Sequence, residues 1–414
     1  VNRGRRATAI DREGEMGFRL RATVFVMMAM LVLAGPARAH EFTGFIQAEG
    51  RLFTQSAIHE EQKDLSGSLA LQPEYYHEFE DGSSFTLVPF YRIDTSDPER
   101  THFDLREFTY LGLREDFELR LGVRKVFWGT AEVYHLVDVL NQTDLVENVD
   151  TEDKLGQPMV NLSLPGEWGT LDVFVLPYFR ERTFPGKAGR LRGAAVVDTG
   201  RTQFESGAKE WHTDWALRYF KVLGEVDLGF AHFVGTGREP TLLDGKDGNG
   251  NPIKIPLYEQ IHQTSLDLSY VAGGWLWKAE ALYRAGQGDR DYFAWTGGFE
   301  YTFYGIADTA LDLGILLEGM YDERGSLATT AFQSDIVAGL RLAVNDPQST
   351  EVLVGWLQDT ENASRGFFLE ASRRLGNRWK LAVEIRADFG QPASDFLFDQ
   401  RADDFMQIEL NYYF

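Results

Sequence analysis

From residue 40 onward the chain alternates apolar and polar side chains, in stretches of about ten residues separated by turn-forming breaks. In 117–125, Phe117, Leu119, Leu121 and Val123 share one face, and Glu118, Arg120, Gly122 and Arg124 share the other. In 275–284, Trp275, Trp277, Ala279, Ala281 and Tyr283 oppose Lys278, Glu280, Leu282 and Arg284. The stretches 293–303 and 379–387 repeat the pattern, with Trp295, Phe299 and Tyr301 against Thr296 and Glu300, and Trp379, Leu381, Val383 and Ile385 against Lys380, Glu384 and Arg386. A period of two is the side-chain repeat of a strand, so the pattern predicts antiparallel β-structure throughout.

The breaks alternate in length. Short ones are Glu80–Ser83, Arg114–Asp116, Gly166–Gly169, Val222–Gly224, Ala272–Gly274, Tyr304–Thr309, Asn345–Gln348 and Leu375–Arg378. Their Asp-Gly, Gly-Gly, Gly-Asn and Asp-Pro steps are hairpin chemistry. Between them lie nine longer polar segments, roughly 54–65, 94–101, 127–158, 180–211, 235–257, 285–291, 322–333, 358–364 and 388–404. Eight turns and nine loops connect 18 strands, or 16 if two boundaries shift. The predicted fold class is an all-β transmembrane antiparallel β-barrel of about 18 strands. Its apolar face meets lipid and its charged face meets a lumen, because charge on the lipid side is costly. The aromatics Trp275, Tyr301, Phe303, Trp379, Tyr412 and Phe414 all fall beside short turns or the chain end, where an interfacial girdle belongs. A soluble β-sandwich would also alternate, but it requires neither the alternation of loop lengths nor charged residues on an inner face.

The ends fit an exported barrel. Ile408, Leu410, Tyr412 and Phe414 alternate with Gln407, Glu409, Asn411 and Tyr413. This last strand resembles the targeting strand of bacterial outer-membrane barrels, which implies recognition by the barrel assembly machinery through the strand ending at Phe414. At the other end, residues 1–39 read as a signal peptide. Met16 is the expected start, Arg19 and Arg21 precede the apolar run Ala22–Ala34, and Ala37-Arg38-Ala39 fits cleavage after Ala39. The barrel is then the single domain 40–414, and the expected location is the outer membrane of a Gram-negative cell, among its lipid and lipopolysaccharide.

Composition narrows the functional classes. Removing residues 1–39 takes away seven Arg and three acidic residues, leaving 34 basic and 60 acidic residues and a formal charge of −26. Such a chain offers no generic basic face to a nucleic acid. It has no cysteine, so no disulfide framework is used.

A barrel of this strand number has room for a channel, so inward charge becomes the functional question. The candidate lumen residues are Arg92, Arg106, Arg120, Arg124, Arg341, Lys380 and Arg386 from early and late strands, and Glu280, Glu300, Asp312 and Glu318 from strands near 275–321. One reading makes them a basic wall facing an acidic one, a transverse field acting on solutes. The other makes them Arg–Glu pairs that only hold the wall together. The assignment in 85–113 carries a conflict: if Arg106 faces the lumen, strict alternation puts Glu107 on lipid.

Segment 127–158 is too long to be idle. Thr130 caps a predicted helix reaching Asn141, with Val133, Leu136, Val137 and Leu140 on one face. That stripe needs burial, and the barrel mouth is the nearest place. This loop and 180–211 are therefore expected to fold inward, with Arg180, Arg182, Arg190 and Arg192 bringing positive charge to the constriction. The alternative is that both stand outward as surface decoration.

Within this region Gly122-Val-Arg-Lys-Val-Phe-Trp128-Gly129, followed by Glu132, Asp138, Asn141 and Asp144, resembles a recurrent stretch of proteobacterial porin-like outer-membrane barrels, among them alginate-exporter-like channels. The resemblance covers about residues 117–165. It implies a substrate-translocating barrel with this loop near the pore. Lys125 departs from the family pattern, where an uncharged residue stands.

Other chemistries have weaker support. There is no His-Glu-x-x-His and no Gly-x-Ser-x-Gly, and the eight His are scattered, so no catalytic residue, metal or cofactor is assigned. Asp244–Asn251 imitates a calcium loop but has Pro252 where a Gly is needed, and reads better as a flexible surface loop. The expected function is passage of small polar or charged solutes through a loop-constricted lumen. The alternatives are an export conduit for a polymeric or hydrophobic product, with envelope export partners, and an outer-membrane enzyme.

Overall fold

The computed structural model describes residues 40–414, so the expected leader, with its Met16 start and cleavage after Ala39, lies outside the described residues. The first seven strands are β1 (His40–Phe53), β2 (Leu65–Glu78), β3 (Ser84–Asp94), β4 (His102–Leu113), β5 (Glu118–Arg124), β6 (Gln157–Gly166) and β7 (Gly169–Leu176). Two short strands follow, β8 (Val196–Val197) and β9 (Gln203–Phe204). Next come β10 (Asp214–Leu223), β11 (Val226–Thr236), β12 (Thr241–Lys246), β13 (Pro252–Tyr258), β14 (Gln260–Ala272), β15 (Trp275–Ala285) and β16 (Tyr292–Phe303). The last are β17 (Asp312–Asp322), β18 (Ser334–Ala343), β19 (Glu351–Asp359), β20 (Arg365–Leu375), β21 (Trp379–Phe389) and β22 (Phe405–Tyr413).

Eighteen of these form one antiparallel sheet, each strand beside its neighbours in sequence, and the sheet closes where β1 meets β22. At that seam Phe45 lies opposite Tyr413 and Phe53 opposite Phe405. Closure leaves no edge strand. The remaining strands stand at the long-loop end, where β13 pairs β12 antiparallel and β8 and β9 parallel. The tip of the β12–β13 hairpin is closed by Asp247, whose Oδ1 accepts from the Asn249 and Asn251 N–H and whose Oδ2 accepts from Asn251 Nδ2.

The registers sort every strand into two faces. Glu280, Thr296, Met320 and Asp335 are successive cross-strand partners and are all buried. The adjacent row through Ala281, Trp295 and Tyr321 points outward, with both aromatics exposed. Trp275 and Tyr301 are 4.6 Å apart, and Trp379 and Tyr412 4.9 Å, on the outer face beside short turns.

The conflict at Arg106 is resolved by a β-bulge. Val88 pairs Glu107 and Pro89 pairs Leu105, so Arg106 is the extra residue of β4. A bulge puts two successive side chains on one side of the sheet. Arg106 and Glu107 therefore both point inward, and strict alternation was the wrong rule there.

The predicted helix over Thr130–Asn141 is not present; residues 125–156 contain turns, bends and two isolated bridges, Thr143 to Lys154 and Asp144 to Thr183, but no helix. Five of its backbone N–H groups are taken by side chains of distant strands.

Candidate functional site

The connection between β5 and β6, residues 125–156, runs inside the barrel. Its apolar residues are the reason. Trp128, Val137, Val139 and Leu140 pack with Met159, Phe174, Leu176, Ala216, Phe233 and Ile261 of the inner wall. Leu136 packs separately against Leu282, Tyr292 and Ala294. Full burial of each such side chain stabilises by about 1.5–3 kcal/mol, enough to hold a loop that has no helix of its own. The apolar stripe read from the sequence is buried, but by an irregular chain in contact with two walls.

Two carboxylates take over the hydrogen bonding a helix would have supplied. Glu280 Oε1 accepts from the N–H of Thr130 and Ala131, and its Oε2 from Val137. Glu318 accepts from the N–H of Glu132 at 2.8 Å and Val133 at 3.1 Å. Asp138 Oδ1 accepts from Trp128 and Gly129 within the loop, and Asn141 bonds the Val126 N–H and the Arg124 and Leu155 carbonyls. Buried backbone donors need partners, and a carboxylate is a strong one.

On the opposite side the loop is fixed by ion pairs. Arg92 bridges Glu147 (2.7 Å) and Glu49 (3.0 Å), and Arg106 holds Asp144 at 2.9 Å. Burial acts to raise Asp144, but His102 and Arg106 outweigh it and hold it at about 2. His102, Asp144 and Glu147 offer three donor atoms within 4.8 Å of one another. Both carboxylates are already bonded by guanidinium groups, so the group serves as a clasp of charges.

Arg341 and Lys278 contact Glu132 at 2.6 and 3.0 Å, and Arg341 also meets Glu300. Arg120 pairs with Glu118, and Arg124 bonds Asn161. Those two arginines face inward but do not line the cavity described below. Asp312 is a rim residue that joins two short turns, accepting from the Gly305 N–H and Asn345 Nδ2. The separation into a basic and an acidic wall is not found; most of these charges pair with near neighbours.

The second loop also departs from expectation. Arg180 pairs with Asp104 at 2.7 Å, and Arg190 with Asp403 at 2.6 Å and Asp64 at 3.0 Å. Arg192 bonds the carbonyls of Gly193 and Ala194. Of the four arginines only Arg182 lines the cavity, and it bonds Gln142 at 3.3 Å. Arg180 and Arg190 are spent on carboxylates, so they bring no net positive charge to a constriction.

What the inner loop leaves open is a cavity of about 1020 Å³ beside the wall formed by β18–β22 and β1. Glu351 and Lys380 line it near the short turns; Asp388 and Gln400 line it near the long loops. Arg341, Lys380, Arg386, Glu132, Asp138 and Asn141 are on it. On that wall Gly355 lies opposite Phe368, whose ring occupies the space a Cβ on Gly355 would need. Midway, Arg386 meets Glu384 (2.5 Å), Glu370 (3.2 Å) and Asp150 (3.4 Å). Glu370, Glu384 and Asp150 were not among the sequence candidates. Glu384 was legible on the charged face of its strand; Asp150, in a loop, gave no signal.

Comparison with known proteins bears on the fold. No family model and no curated protein matches the chain. Among solved structures it is similar to OpdQ of Pseudomonas aeruginosa at a TM-score of 0.51, with 11% identity over 91% of this chain and 98% of that one. A variant of the Rhodopseudomonas blastica porin aligns over 91% of this chain and all of that one, at 10% identity and a TM-score of 0.45. The alginate-exporter-like resemblance finds no support in these matches.

Proposed function

We propose that this protein is an outer-membrane channel that passes small polar or charged solutes along an off-centre passage. The carrying observation is the 1020 Å³ cavity, lined from Lys380 at the short-turn end of β21 to Asp388 at its long-loop end. Side chains of both signs line it, a setting in which a solute exchanges water for contacts weak enough to release. The outward face, with Trp277, Trp295, Phe293, Leu317 and Ile336 exposed, is suited to lipid contact. An export conduit for a polymer has less support, since loop 125–156 packs across the inner wall from β6 to β17.

The test is swelling of liposomes containing the refolded barrel in solutes of rising size. Rapid swelling with a two- or three-carbon polar solute, falling off with size, is the expected result. Liposomes that swell no faster than protein-free ones contradict the reading.

A further inference from the structure

Resting on that channel reading, we infer that the passage prefers cations and that its selecting element is the cluster Asp150, Glu370 and Glu384 around Arg386. All three carboxylates share a single guanidinium, at 3.4, 3.2 and 2.5 Å. Fully ionised, the cluster carries two negative charges in excess.

The geometry places that excess where a solute goes. Glu370 and Glu384 are cross-strand partners on β20 and β21, and Asp150 approaches them from the inner loop. All four side chains line the cavity. Glu370 is 47% exposed, so its charge acts in water and would hold a cation only briefly. That is the condition for conduction, since a site that binds too tightly blocks its own pore.

The surroundings reduce this excess, since the charge of buried Arg51 reaches Glu384, but do not cancel it. Along the whole cavity, carboxylates outnumber Arg and Lys by three, fourteen against eleven. Arg341 and Lys278 are matched by Glu132 and Glu300. Arg92 and Arg100 are matched by Glu49, Glu147 and Asp94. Lys380 also lines the cavity, nearer the short turn, where Glu351 and Glu409 face the same space. At the long-loop end, segment 390–404 carries Asp395, Asp399, Asp403 and Asp404; Arg401 is its own cation and Arg190 pairs with Asp403, which leaves two carboxylates in excess. Such a mouth concentrates cations before they reach the neck.

The ligand class is small cations, inorganic or organic amines, at the negatively charged neck of an aqueous pore. The experiment is the reversal potential of the barrel in a planar bilayer under a potassium chloride gradient. The wild type should reverse on the cation side. Glu370→Gln with Asp150→Asn should lower the cation-to-anion permeability ratio by about twofold or more, and Arg386→Gln should raise it. If the double variant does not fold, Glu370→Gln alone, at a half-exposed position, carries the same expected direction. A conducting wild type that reverses at zero or on the anion side overturns the inference and leaves the channel reading intact. So does a conducting Arg386→Gln variant whose ratio falls. A barrel that folds and does not conduct overturns the channel reading, and the inference with it.

Discussion

Glu280 on β15 and Glu318 on β17 hold one loop between them, together accepting five backbone N–H groups from Thr130, Ala131, Glu132, Val133 and Val137. Replacing Glu280 with Ala leaves three of these donors without a partner. Each costs about 1–3 kcal/mol when buried, so the loop should detach from this wall while the barrel stays closed. Single-channel recordings should then show a noisier open state and a larger mean conductance. An unchanged trace would mean that the apolar contacts alone hold the loop.

The opposite anchor should resist acid. Asp144 is held at about 2, with burial opposed by His102 and Arg106. A depressed carboxylate contributes stability that is present above its unfolded value and lost as pH falls through its folded one. Loop attachment through Asp144 should therefore survive from pH 7 to about 4 and fail only near pH 2. Protease sensitivity of the loop in folded barrels, followed against pH, measures this. Loss of protection at pH 5 would contradict it.

Asp153 behaves in the opposite sense. Burial, with Glu147 and Asp150 close by, raises it to about 7. Arg106 opposes the shift, and Lys125 also feels its charge. A raised carboxylate favours the folded state at low pH, and that contribution is lost as pH rises through about 7. Its charge also lines the cavity only above that pH. Cation preference should therefore strengthen between pH 6 and pH 8, while the thermal midpoint falls slightly. Replacing Asp153 with Asn should flatten both trends.

Gly355 and Phe368 are cross-strand partners on the open side, and the Phe368 ring lines the cavity. A Cβ at 355 would collide with the ring of Phe368, which lies over it. Gly355→Ala should push that ring into the cavity and lower conductance, whereas Phe368→Ala should raise it. Equal conductance in both variants would place the current path elsewhere.

The outer face gives a stability prediction. Leu317 is exposed midway along β17, opposite Phe299. Leu317→Lys should destabilise the bilayer-embedded barrel by about 2–4 kcal/mol, the cost of a lysine at the midplane. Urea titration in lipid vesicles reads it. A change near zero would argue that this face does not meet lipid.

These residues also show what the sequence could and could not convey. Strands and turns were legible because Trp275, Trp277 and Ala279 repeat at the strand period and Asp-Gly or Gly-Gly steps punctuate them. All 18 strands and the alternation of loop lengths follow from such local signals. The helix expected over Thr130–Asn141 failed for a non-local reason. Val133, Leu136, Val137 and Leu140 have helical spacing, but Glu280 and Glu318, well over a hundred residues away in sequence, take the N–H groups instead. The bulge at Arg106 broke strict alternation without any glycine to mark it. Pairing of Arg180 with Asp104 and Arg386 with Asp150 likewise depends on which loop enters the barrel.

The most direct measurement is single-channel conductance of the refolded barrel in a planar bilayer, wild type beside a Glu280→Ala, Glu318→Ala variant. The account predicts a steady, modest conductance for the wild type and a larger, unsteady one once the loop is released. A folded wild type with no conductance would contradict it.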